Sequence, residues 1–402
     1  MTTPRYPLTG LRVLDLSRIL AGPVCTQLLA DLGADVVKVE RPATGDDTRQ
    51  WGPPFLPDGG ASGYFLSCNR GKRSLALDLN HAAGRPVLEA LLCHADVCLE
   101  NFLPDTLARL GLDAASLARL NPRLVSCSIS AFGRTGPNSH LPGYDLMIQA
   151  SSGLMGITGE PEGAPMKVGV AITDVITGLY AAVSVLAGLY ARDRDQPGRA
   201  FDLSLADCTL ASLVNVAQSS LLTGAPPRRW GNAHPQIVPY EAFATRDGHV
   251  ALAIGADRQW QRFCAAVDRA AWASAPRFAT NPARVAHRDE LVPLVAALLA
   301  ERTTAAWQEL LTRIDVPHSP VVALDEALRA PQTLAREMVL EATDAAGRRY
   351  RLLGGAVHWA GEPPRQASAP PELGQHTEQI LTEWLGFDAE RIAGLRASGA
   401  IA

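Results

Sequence analysis

The chain has 402 residues, 47% hydrophobic and 19% charged, which excludes a disordered or fibrous protein and gives enough length for two domains. Its formal charge of −4 and pI near 6.2 exclude nucleic acid or an anionic membrane as a partner held by overall charge, so an anionic ligand needs a local cluster of cations. The seven cysteines (Cys25, Cys68, Cys93, Cys98, Cys127, Cys208, Cys264) are odd in number, scattered and without metal-ligand spacing, and MTTPRYPLTG lacks the apolar core of a signal peptide. Reduced thiols, no metal and a cytoplasmic location are expected.

In chain order, 12–16 reads as a short apolar strand, 23–32 as a helix opened by Pro23 and closed by Gly33, and 35–39 as a second strand. The alternation recurs: strand in SLALDL, helix in HAAGRPVLEALLCHA, strand in DVCLENF, one helix in TLARLGLDAASLARL, strand in LVSCSIS. Strands alternating with helices predict a parallel, doubly wound α/β sheet. The first strand-to-helix turn, SRILAGP, lacks the G-x-G-x-x-G that lets backbone approach a pyrophosphate, which argues against a nicotinamide cofactor.

From Gly143 to Cys208, a glycine-rich run read as loop (Gly153, Gly156, Gly159, Gly163, Gly169) leads to Asp174 and then to an uncharged segment, 175–191. That segment is too short and too rich in small residues (Gly178, Gly188) for a membrane span, and reads as a closely packed core helix. Asp174 is placed at its N-terminus. By position, its carboxylate either caps the free N–H groups there, or is held ionised by them and the helix dipole as a nucleophile. Position does not choose between the two. Ser151, Cys127 and Cys208 lack a partner arrangement that would activate them.

Between Ser219 and Trp230 the chain turns polar and Pro-rich (TGAPPRRW), which marks a crossover to a second unit, 231–325, with a hairpin turning at Asp247-Gly248 and helices in RQWQRFCAAV, DELVPLVAALLAE and TAAWQELLTRI. A strand-like RRYRLLGGAVHWA, a Pro-rich stretch at 363–371 and a final helix in TEQILTEWLGF complete the chain, with no internal repeat.

Five blocks in order, LTGLRVLDLSRILAGPVCTQLLADLGADVVKVERP, NRGKRSLALDLN, ADVCLENFLPDTLARLGL, the Gly143–Cys208 stretch and LGQHTEQIL, resemble the class III CoA-transferase family, which includes formyl-CoA and carnitine CoA-transferases and the α-methylacyl-CoA racemases. The resemblance covers nearly the whole chain. It implies a large doubly wound parallel-sheet domain built from 1–218 and 335–402, a smaller α+β domain at 231–325, and an interlocked homodimer. It implies coenzyme A thioesters as substrates rather than a resident cofactor, and Asp174 as a nucleophile that carries the acyl group and then CoA. The matching CoA-binding positions are Leu20, Ala21, Arg41, Leu77, Asp78, Leu79, Asn80, Asn101, Phe102, Arg109, Gly143 and Tyr144. Arg41 and Arg109 suit phosphate oxygens, which a guanidinium meets through two parallel hydrogen bonds.

Two departures count against formyl or oxalate specificity: Leu20 replaces a Gln, and the family's run of four glycines is missing. The racemase branch has a His at the position of Tyr144 and a Glu at that of Arg258, so this chain lacks its acid/base pair. A non-catalytic CoA-binding subunit is the other alternative, and the presence of Asp174 argues against it. The segment GNAHPQIVPYEAF resembles the succinyl-CoA:glutarate type, which implies succinyl-CoA as donor and a small dicarboxylate as acceptor. A second carboxylate needs a donor or cation, and His234, Arg228 and Arg229 are the candidates, beside the plain reading of His234 as a loop residue bonded to backbone.

Overall fold

The computed structural model describes residues 6–194, 197–360 and 368–402, so residues 363–367 of the Pro-rich stretch lie outside the described residues. The chain forms two compact units: Met1–Leu154, Val168–Thr223 and Pro331–Ala402 make the first, Met155–Lys167 and Gly224–Ala330 the second.

The first unit is built on six parallel strands, Arg12–Asp15 (β1), Asp35–Glu40 (β2), Arg73–Ala76 (β3), Val97–Glu100 (β4), Val125–Ser130 (β5) and Ala200–Ser204 (β6), in the order β3-β2-β1-β4-β5-β6. The continuous apolar runs suit strands covered on both faces. Leu14, Val37 and Leu75 pack with Val87, Leu88 and Leu91 of the Gly84–His94 helix and Ile380 and Leu381 of the Thr377–Leu385 helix. Val13, Val36, Val97 and Val125 face the other way, toward the Ala21–Asp31 and Ile172–Arg192 helices. The strand order reverses between β1 and β4, and in an open α/β sheet the crevice beyond the carboxyl ends at such a reversal is where ligands bind.

Several expectations need correction. The single helix expected in TLARLGLDAASLARL is two, Pro104–Arg109 and Ala114–Leu120, because Gly111 takes φ +55 and Asp113 starts a new helix by accepting the Ser116 N–H. The glycine-rich run, expected as loop, contains the short helix Leu154–Ile157, with another, Asp145–Ser151, just ahead of it, and the crossover read from residue 219 onward is helical to Thr223. A further helix, Ala389–Ala397, follows the one expected to be last. The long helix begins at Ile172 with Ala171 as its cap, so Asp174 is its third residue and not its N-cap.

The Ile172–Arg192 helix packs on the Ala21–Asp31 helix and on β5. Gly178 makes this possible: a Cβ there would meet the Ala21 carbonyl oxygen at 2.6 Å. The helix's other face leaves Leu179, Tyr180, Val183 and Tyr190 exposed.

The second unit carries the antiparallel strands Tyr240–Ala244 (β7), His249–Ala253 (β8) and His318–Pro320 (β9). The hairpin turns through residues 245–248 around Asp247-Gly248 as expected, and the helices Asp257–Ala266, Arg288–Leu299 and Thr304–Arg313 match the three predicted patterns to within one or two residues at each end. Trp260, Phe263, Leu291, Val295 and Trp307 fill this unit's own core.

Candidate active site

Beyond the carboxyl end of β1, the chain turns through Ser17, Arg18 and Ile19 into the Ala21–Asp31 helix. Ile19 takes φ +74, a region that β-branched residues avoid, so neighbours must hold it there. Asn101 accepts the Arg18 N–H at 3.0 Å and donates to the Arg18 carbonyl at 2.8 Å, while Asp46 takes the Ile19 N–H at 3.3 Å.

Under this turn lies a fully buried set of charges. Lys38 pairs with Asp46 at 2.8 Å and donates to the Ser17 carbonyl at 2.9 Å. Lys72 pairs with Asp15 at 3.1 Å, and Asp15 also accepts from Ser17 Oγ at 2.5 Å and Thr26 Oγ1 at 2.6 Å. Burial alone would push both carboxyls up, but the lysines outweigh it: Asp15 lies below the usual carboxylate range and Asp46 falls to about 2.

Two clefts flank the Arg18 turn. One, of about 620 Å³, is lined by Arg41, Leu77, Asp78, Leu79, Asn80, Phe102 and Arg109. The other, of about 950 Å³, is lined by Leu20, Ala21, Asn101, Phe102, Gly143, Tyr144 and Asp174. Arg18 and Phe102 border both, so all thirteen first-unit positions named from the sequence line one continuous pair of clefts. Leu77 is itself buried, its N–H given to the Glu40 carbonyl at 2.9 Å. Arg109 is held by the Asn80 side chain.

Asp174 is half-buried, and its carboxylate accepts no hydrogen bond from the described residues. The N-terminal donors of its helix go elsewhere: Thr173 gives both N–H (2.9 Å) and Oγ1 (2.8 Å) to Asp145, which also accepts from Gln149 at 2.7 Å. Burial, and then the Asp145 charge, push Asp174 up to about 7, reversing the expectation that the helix end holds it firmly ionised. Sequence reasoning missed Asp145, whose only signal was its place beside Gly143 and Tyr144. It also missed Tyr64, a half-buried phenol pushed up to about 12 chiefly by burial and then by the Asp174 charge.

The other candidates fall away. Ser151 is exposed at the end of its helix, and the buried thiols of Cys127 and Cys208 are pushed up, Cys127 to about 12, chiefly by burial. Arg258 is exposed in the second unit.

In that unit His234 Nδ1 accepts the Gln236 N–H at 3.0 Å, as a loop histidine would, which leaves Nε2–H as a donor. Arg229 is committed to the Glu160 and Gly163 carbonyls at 3.1 and 2.6 Å, whereas Arg228 lies over the Trp230 ring at 3.7 Å.

Residues 8–377 match the model of CoA-transferase family III. The succinyl-CoA:glutarate CoA-transferase of Mus musculus is 40% identical over 395 residues, covering 98% of this chain and 90% of its own length. The succinate–glutarate CoA-transferase of Agrobacterium fabrum is 42% identical over 392 residues, covering 95% and 97%. Among solved structures, a CAIB/BAIF family protein from Brucella suis superposes with a TM-score of 0.83 at 40% identity, covering 95% of this chain and all of that one.

Proposed function

This chain belongs to CoA-transferase family III, and on that premise we propose that it moves CoA from succinyl-CoA to a small dicarboxylate by way of Asp174. The observation that carries this is a carboxylate with no hydrogen-bond partner in the described chain, set in the cleft that holds the expected CoA-binding residues.

An Asp174 oxygen attacks the succinyl thioester carbonyl and expels CoA thiolate, leaving a mixed anhydride. The thiolate attacks the aspartyl carbonyl and releases succinate, giving an aspartyl-CoA thioester. The acceptor carboxylate displaces the thiolate to form a second anhydride, and the thiolate then attacks the acceptor's acyl carbon and frees Asp174. Thioester replaces thioester, so no ATP is needed, and one cycling carboxylate divides a hard exchange into easier steps. Asp174 suits the task electrostatically, because acylation removes a charge that burial and Asp145 disfavour. The Asp174 N–H, which has no acceptor among the described residues, is a donor at the start of the helix for a developing oxyanion.

The relatives' names support the dicarboxylate reading. A homodimer in the cytoplasm belongs to the same reading. The exposed Leu179, Tyr180, Val183 and Tyr190 support the first, and the seven free thiols support the second.

The test is to mix wild type with succinyl-CoA and no acceptor, add hydroxylamine, and locate the product by peptide mass spectrometry. An aspartyl hydroxamate at residue 174, absent from Asp174→Ala, is expected. Near-native turnover in Asp174→Ala would overturn the mechanism. If acetate or another monocarboxylate outperforms every dicarboxylate tried, the substrate assignment fails while CoA transfer stands.

A further inference from the structure

Between the two clefts, one carboxylate already sits where a phosphate would be met. Asp47 Oδ2 accepts from Arg18 Nη1 at 2.8 Å, and its Oδ1 accepts from Arg41 Nη2. Arg41 lines the cleft with Asn80 and Arg109, Asp47 lines the cleft with Asp174, and Arg18 borders both. The remaining hydrogen bonds of these arginines are sparse. Among the described residues, Arg41 reaches only the Gly45 carbonyl besides, and Arg18 Nε is buried with no partner. Asp47 is not needed to fix the backbone here, since the preceding Asp46 caps the short 3₁₀ helix Asp47–Gln50 through Thr48. Its carboxylate and both guanidinium groups are more than a third exposed, so the pairs are weak and exchangeable with solvent or ligand.

We propose that Asp47 is an intramolecular competitor for the anionic groups of CoA, occupying Arg18 and Arg41 until a phosphate displaces it. The inference rests on the CoA-transferase reading. It adds a residue that sets how tightly the nucleotide end is held, and therefore how readily the thioester product leaves after each exchange. Phosphate oxygens, like the two oxygens of Asp47, can each accept from a different guanidinium, and they carry more charge, so one anion can replace the other on the same donors.

The experiment is calorimetric titration of full-length wild type, Asp47→Asn and Asp47→Ser with CoA and with phosphate-free N-acetylcysteamine, alongside thermal melts of all three. Removing the competing charge is expected to tighten CoA by about two- to five-fold in both variants, the range of a weak exposed ion pair. The KM for succinyl-CoA should fall correspondingly, while that for the acceptor acid and the N-acetylcysteamine affinity stay unchanged. Unchanged or weaker CoA binding in variants that melt like wild type would overturn the proposal and make Asp47 a residue that orients the arginines. Equal gains for CoA and N-acetylcysteamine would overturn it too. Absence of CoA binding to wild type would instead remove the functional reading beneath it.

Discussion

Two sets of acidic groups in the first unit stand in opposite states. Asp15 and Asp46 are fully buried yet firmly ionised, because Lys72 and Lys38, hydroxyls and backbone N–H groups meet them. Asp174 is less deeply placed, yet burial and Asp145 push it up to about 7 with nothing to offset them. Partners, more than depth, decide the state of a carboxylate. The paired set holds the turn in place, and the unpaired one has its lone pairs uncommitted to any donor among the described residues.

The largest expected effect removes the unpaired group. Asp174→Ala should lower turnover with succinyl-CoA and glutarate by about 10⁴-fold or more while CoA affinity stays within a few-fold, since a nucleophile has no substitute in water. Steady-state rates together with CoA titration check both halves.

Next in size is the removal of a partner from the paired set. Lys38→Met strands Asp46, and leaving a buried charge uncompensated costs about 3–5 kcal/mol. A denaturant titration should show that loss, and a variant as stable as wild type would mean the pair contributes little.

The same logic predicts the opposite sign at the other site. The folded-state value of Asp174 lies above that of the unfolded chain, so its stabilising contribution is present at low pH and is lost as pH rises from about 4 through about 7. Asp174→Asn should therefore melt higher than wild type at pH 8, by on the order of 1 kcal/mol, and near wild type at pH 4.

Smallest is a shift in pH profile. Attack needs the ionised carboxylate, so kcat/KM should fall as pH drops below about 7. Asp145→Asn keeps an acceptor for Thr173 but removes the repelling charge, and should move that acid limb to lower pH. A limb that stays in place would show that burial alone sets it.

Much of the fold was legible because the strands are buried on both faces and their apolar runs alternate with helices ended by residues such as Gly33, which takes φ +105. What stayed hidden depended on partners distant in sequence. Nothing around residue 174 says that Asp145 takes the helix-end donor, so position left the cap reading of Asp174 open, and the structure removes it. The break at Gly111 was missed because a glycine inside a helical pattern is usually tolerated, and here the Asp113 cap makes the interruption favourable. The positions expected to bind CoA came from resemblance alone, and they line the two clefts that flank the Arg18 turn.

Gly178 stands one helical turn beyond Asp174, at the point where its helix rests against the Ala21 carbonyl. A methyl group there would separate the two helices, and Asp174 rides on one while Leu20 and Ala21 begin the other. The spacing of the two helices that line this cleft is thus gauged by a hydrogen atom, and Gly178→Ala would widen it without altering any side chain that lines the cleft.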